Sequence, residues 1–480
     1  MNTVQGAPPR RVVVVGNGMV GARFAEEAAR LDPDGERVRV SVVGTEHHPA
    51  YNRVLLSGVL AGDYTPEQIR LPALGGPGVT VRTGVAATAL DTRRRTVTLD
   101  DGSRLPYDEL VLATGARAAL PPIPGVRAPD EGPGEGVSAL RDLEDCQRLL
   151  ALARPGAPVV VLGGGVLGLE AARGLVARGM RVSLVESSPW IMRRQIDQGA
   201  ARVLAASYAA LGVDVHSWRV AARWIPGTGL ELDDGRVLPG DALVVTAGVR
   251  ANTELASEAG IVVDRGVVVD DRLATSDARV HAIGDCAQHP GGGAGLVQPG
   301  WEQAAVLAGR LTGTAPHATY TGARPLTRLK AEGIELTAFG RVHEDEDAQD
   351  LETVTISDPH GGRYAKLSVC EEKVVGAVLL GFPEAAATLS QLYDTGAPVP
   401  SDRLALLQGL PTAAPEPQEA GEALVCRCNA VSRNDIEQAW LDGARTREAI
   451  ADRTRATTGC GGCVRDVRAL LSGMQGTPVG

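Results

Sequence analysis

Apolar and polar positions change period twice in the same way along this chain. Residues 11–15 form a β-branched run, Gly16-Asn17-Gly18-Met19-Val20-Gly21 interrupts it, and residues 22–31 read as helix. Residues 159–162, directly behind Pro158, repeat the run; Gly163-Gly164-Gly165-Val166-Leu167-Gly168 follows, then a helix over 169–178. Each copy predicts strand, glycine-rich turn and helix, the opening of a dinucleotide-binding βαβ unit. Two such units predict two nucleotides. Between them, Tyr107-Asp108-Glu109-Leu110-Val111-Leu112-Ala113-Thr114-Gly115 leads into Pro121-Pro122-Ile123-Pro124-Gly125, a connector. Residues 241–248 close the second unit in a similar way, and residues 280–285 predict one more strand entering a tight turn. Strand-like runs at 366–370 and 374–380 precede a helix at 385–393, and Pro411-Thr412-Ala413-Ala414-Pro415-Glu416-Pro417 predicts a linker to a cysteine-bearing module.

Length and composition narrow the classes. At about 150 residues per domain, 480 residues hold roughly three domains. With 44% hydrophobic and 22% charged residues the chain falls among ordinary globular proteins. A net charge of −10 gives no basic field for a phosphate backbone, and 3% aromatics leave few platforms for bases, so no nucleic acid is expected as partner. The apolar runs fall far short of the ~20 residues that span a bilayer, so no membrane segment is expected. Arg10-Arg11 is followed by a phosphate-loop pattern rather than an export signal, which predicts a cytoplasmic protein. Glu344-Asp345-Glu346-Asp347 reads as a solvated acidic loop.

In such turns the first glycine allows the bend, the second lets the backbone approach pyrophosphate, and the third lets helix and strand pack closely. These are Gly16, Gly18 and Gly21 in the first copy and Gly163, Gly165 and Gly168 in the second. Glu186 ends the second strand of the second unit, where a carboxylate accepts from ribose hydroxyls and repels a 2′-phosphate, so NADH is expected over NADPH. In the first unit that strand ends Val42-Val43-Gly44-Thr45-Glu46, and the acid is displaced by two places.

Gly16 to Gly21, Ala113-Thr114-Gly115, Gly163 to Gly168 and Gly284-Asp285, in that order, resemble the flavoprotein reductases with two dinucleotide-binding domains. The resemblance implies FAD on the first unit, with Gly16, Gly18, Gly21, Glu46, Thr114, Gly115, Gly284 and Asp285 around it. It implies NAD on the second, with Gly163, Gly165, Gly168, Glu186 and Gly248. The implied fold is α/β: two Rossmann-like domains, an α+β interface domain and a small helical module. The implied boundaries are 10–118 with 247–313 for FAD, 119–246 for NAD, 316–410 for the interface domain, 411–422 for the linker and 423–475 for the module. Tyr51-Asn52-Arg53-Val54-Leu55-Leu56-Ser57 is similar to a segment that approaches FAD in the nitrite reductase large subunits, which implies that Arg53 faces the cofactor.

Departures narrow the chemistry. No cysteine precedes Cys146, so a thiol–disulfide relay at the flavin is not expected. Many members place a lysine beside the flavin; the first lysine in this chain is Lys330, which would have to reach it from the later domain. Cys146, Cys286 and Cys370 read as packed residues.

Cys426-Arg427-Cys428 and Cys460-Gly461-Gly462-Cys463 supply four thiolates, enough for tetrahedral zinc or for the two irons of a [2Fe-2S] cluster. Spacing leaves the choice open. Their surroundings resemble the bacterioferritin-associated-ferredoxin-like domain, which implies [2Fe-2S], and Ser432 with Asp435 predicts a helix N-cap between the pairs. Domain order resembles the electron-transfer subunits of assimilatory nitrate reductases and the first half of nitrite reductase large subunits. It implies that NADH reduces FAD, FAD the cluster, and an exposed cluster on its linker a protein acceptor, foremost a nitrate reductase catalytic subunit. Only 17 residues follow Cys463, so this chain alone is not expected to reduce nitrite. A freestanding NADH reductase of ferredoxin, rubredoxin or a small acceptor, and a cluster-based redox or iron sensor, are the other expectations.

Overall fold

The computed structural model describes residues 8–129, 132–152, 154–292, 295–343, 350–410 and 424–475. The predicted acidic loop and the predicted linker lie outside them. The chain divides into two compact units, residues 1–54, 67–117 and 249–323, and residues 55–66, 118–248 and 324–480.

In the first unit five parallel strands lie in the order Val280–Ala282, Glu109–Leu112, Arg10–Val15, Val38–Gly44 and Val79–Thr83. The valines and leucines of the four strands other than Val79–Thr83 are buried on both faces, as covered parallel strands require, while the edge strand Val79–Thr83 exposes Val81. The helix after the first glycine turn, Met19–Leu31, buries Phe24, Ala25 and Ala28 in that core. A three-stranded antiparallel sheet, Ala87–Asp91, Thr96–Leu99 and Arg104–Pro106, completes the unit's β structure beside two short pairings.

The second unit repeats this plan. Its parallel strands run Val213–Ser217, Arg181–Glu186, Pro158–Leu162, Ala242–Val245 and Val137–Ala139, and its antiparallel triplet is Ala221–Ile225, Gly229–Leu232 and Val237–Pro239. The predicted duplication is thus a duplicated architecture, down to a triplet that hydrophobic periodicity does not separate out. Residues 55–66 pack here: the helix Leu56–Ala61 lies on the second glycine helix, Val166–Ala177, where a Cβ on Gly174 would stand 3.2 Å from the Ala61 nitrogen.

The same unit holds a five-stranded antiparallel sheet, Leu326–Ala331, Ile334–Gly340, Lys373–Leu380, Arg363–Cys370 and Glu352–Asp358, with the helix Pro383–Thr395 on it. Its C-terminal module is a short β pair, Leu424–Cys426 with Val431–Ser432, and the helices Arg433–Leu441, Arg447–Thr454 and Val464–Gln475. The first of these helices begins in the predicted capping box, Ser432 and Asp435 each accepting from the other's backbone N–H.

Candidate functional site

The first glycine turn is fixed by close approach. Gly16 has φ +119°, and a Cβ there would fall 2.1 Å from the Ala113 carbonyl oxygen; one on Gly21 would fall 1.9 Å from that of Gly16. Gly18 differs. It is the N-cap of Met19–Leu31, no side chain caps it among the described residues, and a Cβ would meet only Arg53 Nε, at 3.9 Å. Uncapped helical N–H groups beside open space are what a pyrophosphate needs. Asn17 Oδ1 is buried in the same turn and finds no hydrogen-bond partner among the described residues. At Gly115 (φ +66°) no described atom lies within 4 Å of a Cβ, while Thr114 is held by Asn252 through two hydrogen bonds of 2.7 and 2.8 Å. Gly284 donates to Gln303 Oε1 at 2.8 Å, and Asp285 accepts from the Gly295 N–H at 3.0 Å. The cradle fits a dinucleotide. Glu46 and Arg53 pair with one another, and Tyr51 donates to Glu46 at 2.8 Å with the Arg53 guanidinium 4.9 Å above its ring.

The second turn has the same frame. A Cβ on Gly163 (φ +116°) would lie 2.7 Å from the Thr246 carbonyl, one on Gly168 1.9 Å from that of Gly163, and Gly165 and Gly248 have no described atom within 4 Å. Gly165 is again an N-cap with no side-chain cap among the described residues. Glu186 is drawn onto the turn, accepting from the Gly164 N–H at 2.7 Å and the Ser188 N–H at 2.6 Å. Both oxygens are held by charge-assisted bonds, so the carboxylate stands at the strand end where a ribose would meet it.

The four C-terminal cysteines form a chain of neighbouring sulfurs, Cys463 to Cys426 to Cys428 to Cys460, with Cys426 and Cys428 3.7 Å apart. Hydrogen bonding among them splits the thiols. Bonds from Cys428 and Cys463 pull Cys426 far down and a bond from Cys428 brings Cys460 to about 6, while giving those protons pushes Cys428 and Cys463 up. Among the described residues no three His, Cys, Asp or Glu side chains close around the point a lone metal ion would occupy. Four thiols joined in one chain of contacts supply the donors that a metal ion or a [2Fe-2S] cluster takes. The Asn429 amide donates toward Cys426 at 3.6 Å and to the Arg455 carbonyl at 2.7 Å, and Ala430, Arg455 and Thr457 adopt left-handed φ around the loops. Cys426 is fully buried, Cys428 and Cys463 nearly so, and Cys460 partly.

The module is docked on the antiparallel sheet and its helix. Arg427 pairs with Asp394, whose carboxyl burial holds above its usual range; Arg465 pairs with Glu335; Arg328 donates to the Gly462 carbonyl at 2.6 Å. Lys330 sits on this strand too. Its ammonium is 3.4 Å from buried Glu170, which also accepts from the Lys330 N–H and the Ser57 hydroxyl. Glu170 belongs to the second glycine helix, so the strand touches both that helix and the cysteine module. Glu170 and Arg328 carried no motif of their own in the sequence. Cys286 is fully buried, its thiol raised by burial and donating to the Leu112 and Ile283 carbonyls, and buried Cys146 is raised to about 11; both are packed residues.

The chain belongs to the pyridine nucleotide-disulphide oxidoreductase family, whose model matches residues 10–308. Residues 325–396 match the rubredoxin NAD+ reductase C-terminal domain, and residues 424–472 the BFD-like [2Fe-2S] binding domain. It is thus an NAD(P)H-dependent oxidoreductase of the FAD-binding type with a [2Fe-2S] domain. It is similar to the assimilatory nitrate reductase electron transfer subunit of Bacillus subtilis (strain 168), at 35% identity over 96% of this chain and 59% of that protein. It is also similar to the nitrite reductase [NAD(P)H] of the same organism, at 34% over 96% of this chain and 57% of that protein. The chain therefore spans less than two thirds of these relatives. A solved covalent putidaredoxin reductase–putidaredoxin complex shares the fold, with TM-score 0.71 and 25% identity over 81% of this chain and 94% of that one. Among the described residues no helix is long and apolar enough to cross a membrane.

Proposed function

We propose that this chain takes electron pairs from NADH and hands them singly to a protein acceptor, the catalytic subunit of an assimilatory nitrate reductase. The observation that carries this reading is the cysteine module's dock: the strand Leu326–Ala331 reaches the Cys460–Cys463 loop through Arg328 and the second glycine helix through Lys330 and Glu170. FAD, when bound, supplies the step from two-electron to one-electron chemistry. The protein's part is positional. Gly16, Gly18, Thr114, Gly115, Gly284 and Asp285 would hold FAD, Gly163, Gly165, Glu186 and Gly248 NADH, and Cys426, Cys428, Cys460 and Cys463 the cluster. The fixed carboxylate of Glu186 favours a free 2′-hydroxyl, so Glu186→Ala should cut the preference for NADH over NADPH about tenfold, roughly 1.4 kcal/mol. Wild-type protein that uses NADPH better than NADH would refute that assignment. The test of the whole reading is reconstitution with the nitrate reductase catalytic subunit: one NADH consumed per nitrite formed, abolished by Cys463→Ser while NADH-driven dye reduction persists. NADH oxidation uncoupled from nitrite would sink it.

A second reading, an NADH reductase of ferredoxin or rubredoxin, draws on the match of residues 325–396 and on the putidaredoxin reductase likeness. Rates with purified ferredoxin and rubredoxin matching those with the nitrate reductase subunit would favour it.

A further inference from the structure

Of the two glycines in Cys460-Gly461-Gly462-Cys463, only Gly461 needs its freedom for backbone reasons, at φ +75°. Gly462 has no such conformation. Its want of a side chain is explained by Arg328, since a Cβ on Gly462 would stand 2.9 Å from Arg328 Cδ and 3.2 Å from Nη1. Arg328 crosses from the antiparallel sheet, lies mostly covered at 26% exposure, and donates 2.6 Å into the Gly462 carbonyl, the peptide just before the ligand Cys463. Its carboxylate neighbour, Asp466, stands in the first turn of the next helix, 3.7 Å away.

Other cations near the cysteines have carboxylate partners elsewhere. Arg427, between Cys426 and Cys428, is tied to Asp394, and Lys330 to Glu170. Arg328 donates its hydrogen bond to the ligand loop itself. A cluster held by four thiolates carries a charge of about −2 when oxidised and about −3 when reduced, so a fixed cation beside it favours the reduced form.

We propose that Arg328 is a positioning residue for the cluster: it clamps the loop of the second cysteine pair and, through its charge, raises the reduction potential. This rests on the [2Fe-2S] reading of the cysteines. The two roles separate by substitution. Arg328→Lys keeps the charge and loses the planar fork that fits the carbonyl, Arg328→Ala loses both, and Asp466→Asn leaves the arginine while removing its counter-charge.

The experiment uses the full chain. Iron and acid-labile sulfide, with the electron paramagnetic resonance signal after dithionite, first establish the cluster in wild type; two irons and two sulfides per chain are expected, and their absence defeats the cluster reading itself. Redox titration by that signal then reads one electron passing from titrant to cluster, one ferric ion becoming ferrous with no bond made or broken. Arg328→Ala is expected to weaken reduction about tenfold, or about 59 mV for one electron. Asp466→Asn should move the potential upward, and Arg328→Lys should stay near wild type. Iron release to a chelator should quicken several-fold in both Arg328 variants. If Arg328→Ala cannot retain its cluster while Arg328→Lys does, iron release from Arg328→Lys decides the clamp and the potential of Asp466→Asn the charge role. Unchanged potentials in Arg328→Ala or Asp466→Asn, or shifts of the two in one direction, overturn the charge role, and unchanged iron release overturns the clamp.

Discussion

The two glycine turns share a frame and place their bulk oppositely. Gly16 donates to the Val43 carbonyl and Gly163 to that of Val185, both at 2.8 Å, which puts Gly44 and Glu186 at equivalent strand ends. In the first unit the side chain of Asn17 fills the space over Gly44; in the second, Gly164 leaves that space to Glu186. A Cβ on Gly44 would lie 2.6 Å from that of Asn17, and one on Gly164 2.9 Å from that of Glu186. The slot takes one side chain. Filling it from the loop displaces the acid of the first unit to Glu46, where Arg53 and Tyr51 engage it; filling it from the strand fixes Glu186 on the turn. One backbone thereby makes two different sites, with Asn17 Oδ1 left unpartnered among the described residues in one and both Glu186 oxygens satisfied in the other.

The shared frame is tested where the expected effect is largest. Gly21→Val and Gly168→Val each drive a side chain into a carbonyl at 1.9 Å, and each should cost about 4 kcal/mol or more, seen as lost soluble protein or a collapsed melting transition. Tolerance of either would mean that helix and turn are not in contact. Gly18→Val and Gly165→Val have room and should leave the fold intact while removing one nucleotide each: FAD content with the first, NADH affinity with the second, by on the order of a hundredfold or about 2.7 kcal/mol. Loss of FAD from Gly165→Val with Gly18→Val unaffected would reverse the assignment of the two units.

Both turns were legible because their information is local. A β-branched run, three spaced glycines and an amphipathic helix force the same bend wherever they occur, and the acid at the strand end lies within the same forty residues. The capping box at Ser432 was legible for the same reason. What escaped was chemistry assembled across the chain. Glu170 looks like one more residue of a glycine helix until Ser57 and Lys330, more than a hundred positions away on either side, converge on it. Gly462 reads as a loop glycine until Arg328 is found against it. The docking of the cysteine module was equally hidden, because it rests on scattered arginine–carboxylate pairs whose residue types are ordinary on any surface.

The exclusive slot is tested by exchange. Gly44→Glu alone should clash with Asn17 and destabilise the first unit by about 2 kcal/mol. Adding Asn17→Gly should recover most of that loss, giving a coupling of about 1–2 kcal/mol in urea unfolding. Strictly additive effects would show that the two positions do not compete.

The smallest effect asks what became of the displaced acid. Arg53 and Glu46 are each about one quarter exposed, so their pairing should contribute no more than about 1 kcal/mol to stability, and both Glu46→Gln and Arg53→Ala should shift the melting temperature only slightly. Their effects on FAD should differ. Arg53 Nε lies 3.9 Å from where a Cβ on Gly18 would be, beside the uncapped helix end, whereas Glu46 reaches the turn only through Arg53 in the contacts described. If Arg53 faces the pyrophosphate, Arg53→Ala should weaken FAD several-fold, and Glu46→Gln should not, because the arginine it releases keeps its charge at the turn. A fluorescence titration of apoprotein with FAD measures both. Equal weakening by the two variants would mean that the pair only braces the strand end; weakening by Glu46→Gln alone would restore to Glu46 the ribose role that Glu186 is expected to play in the second unit.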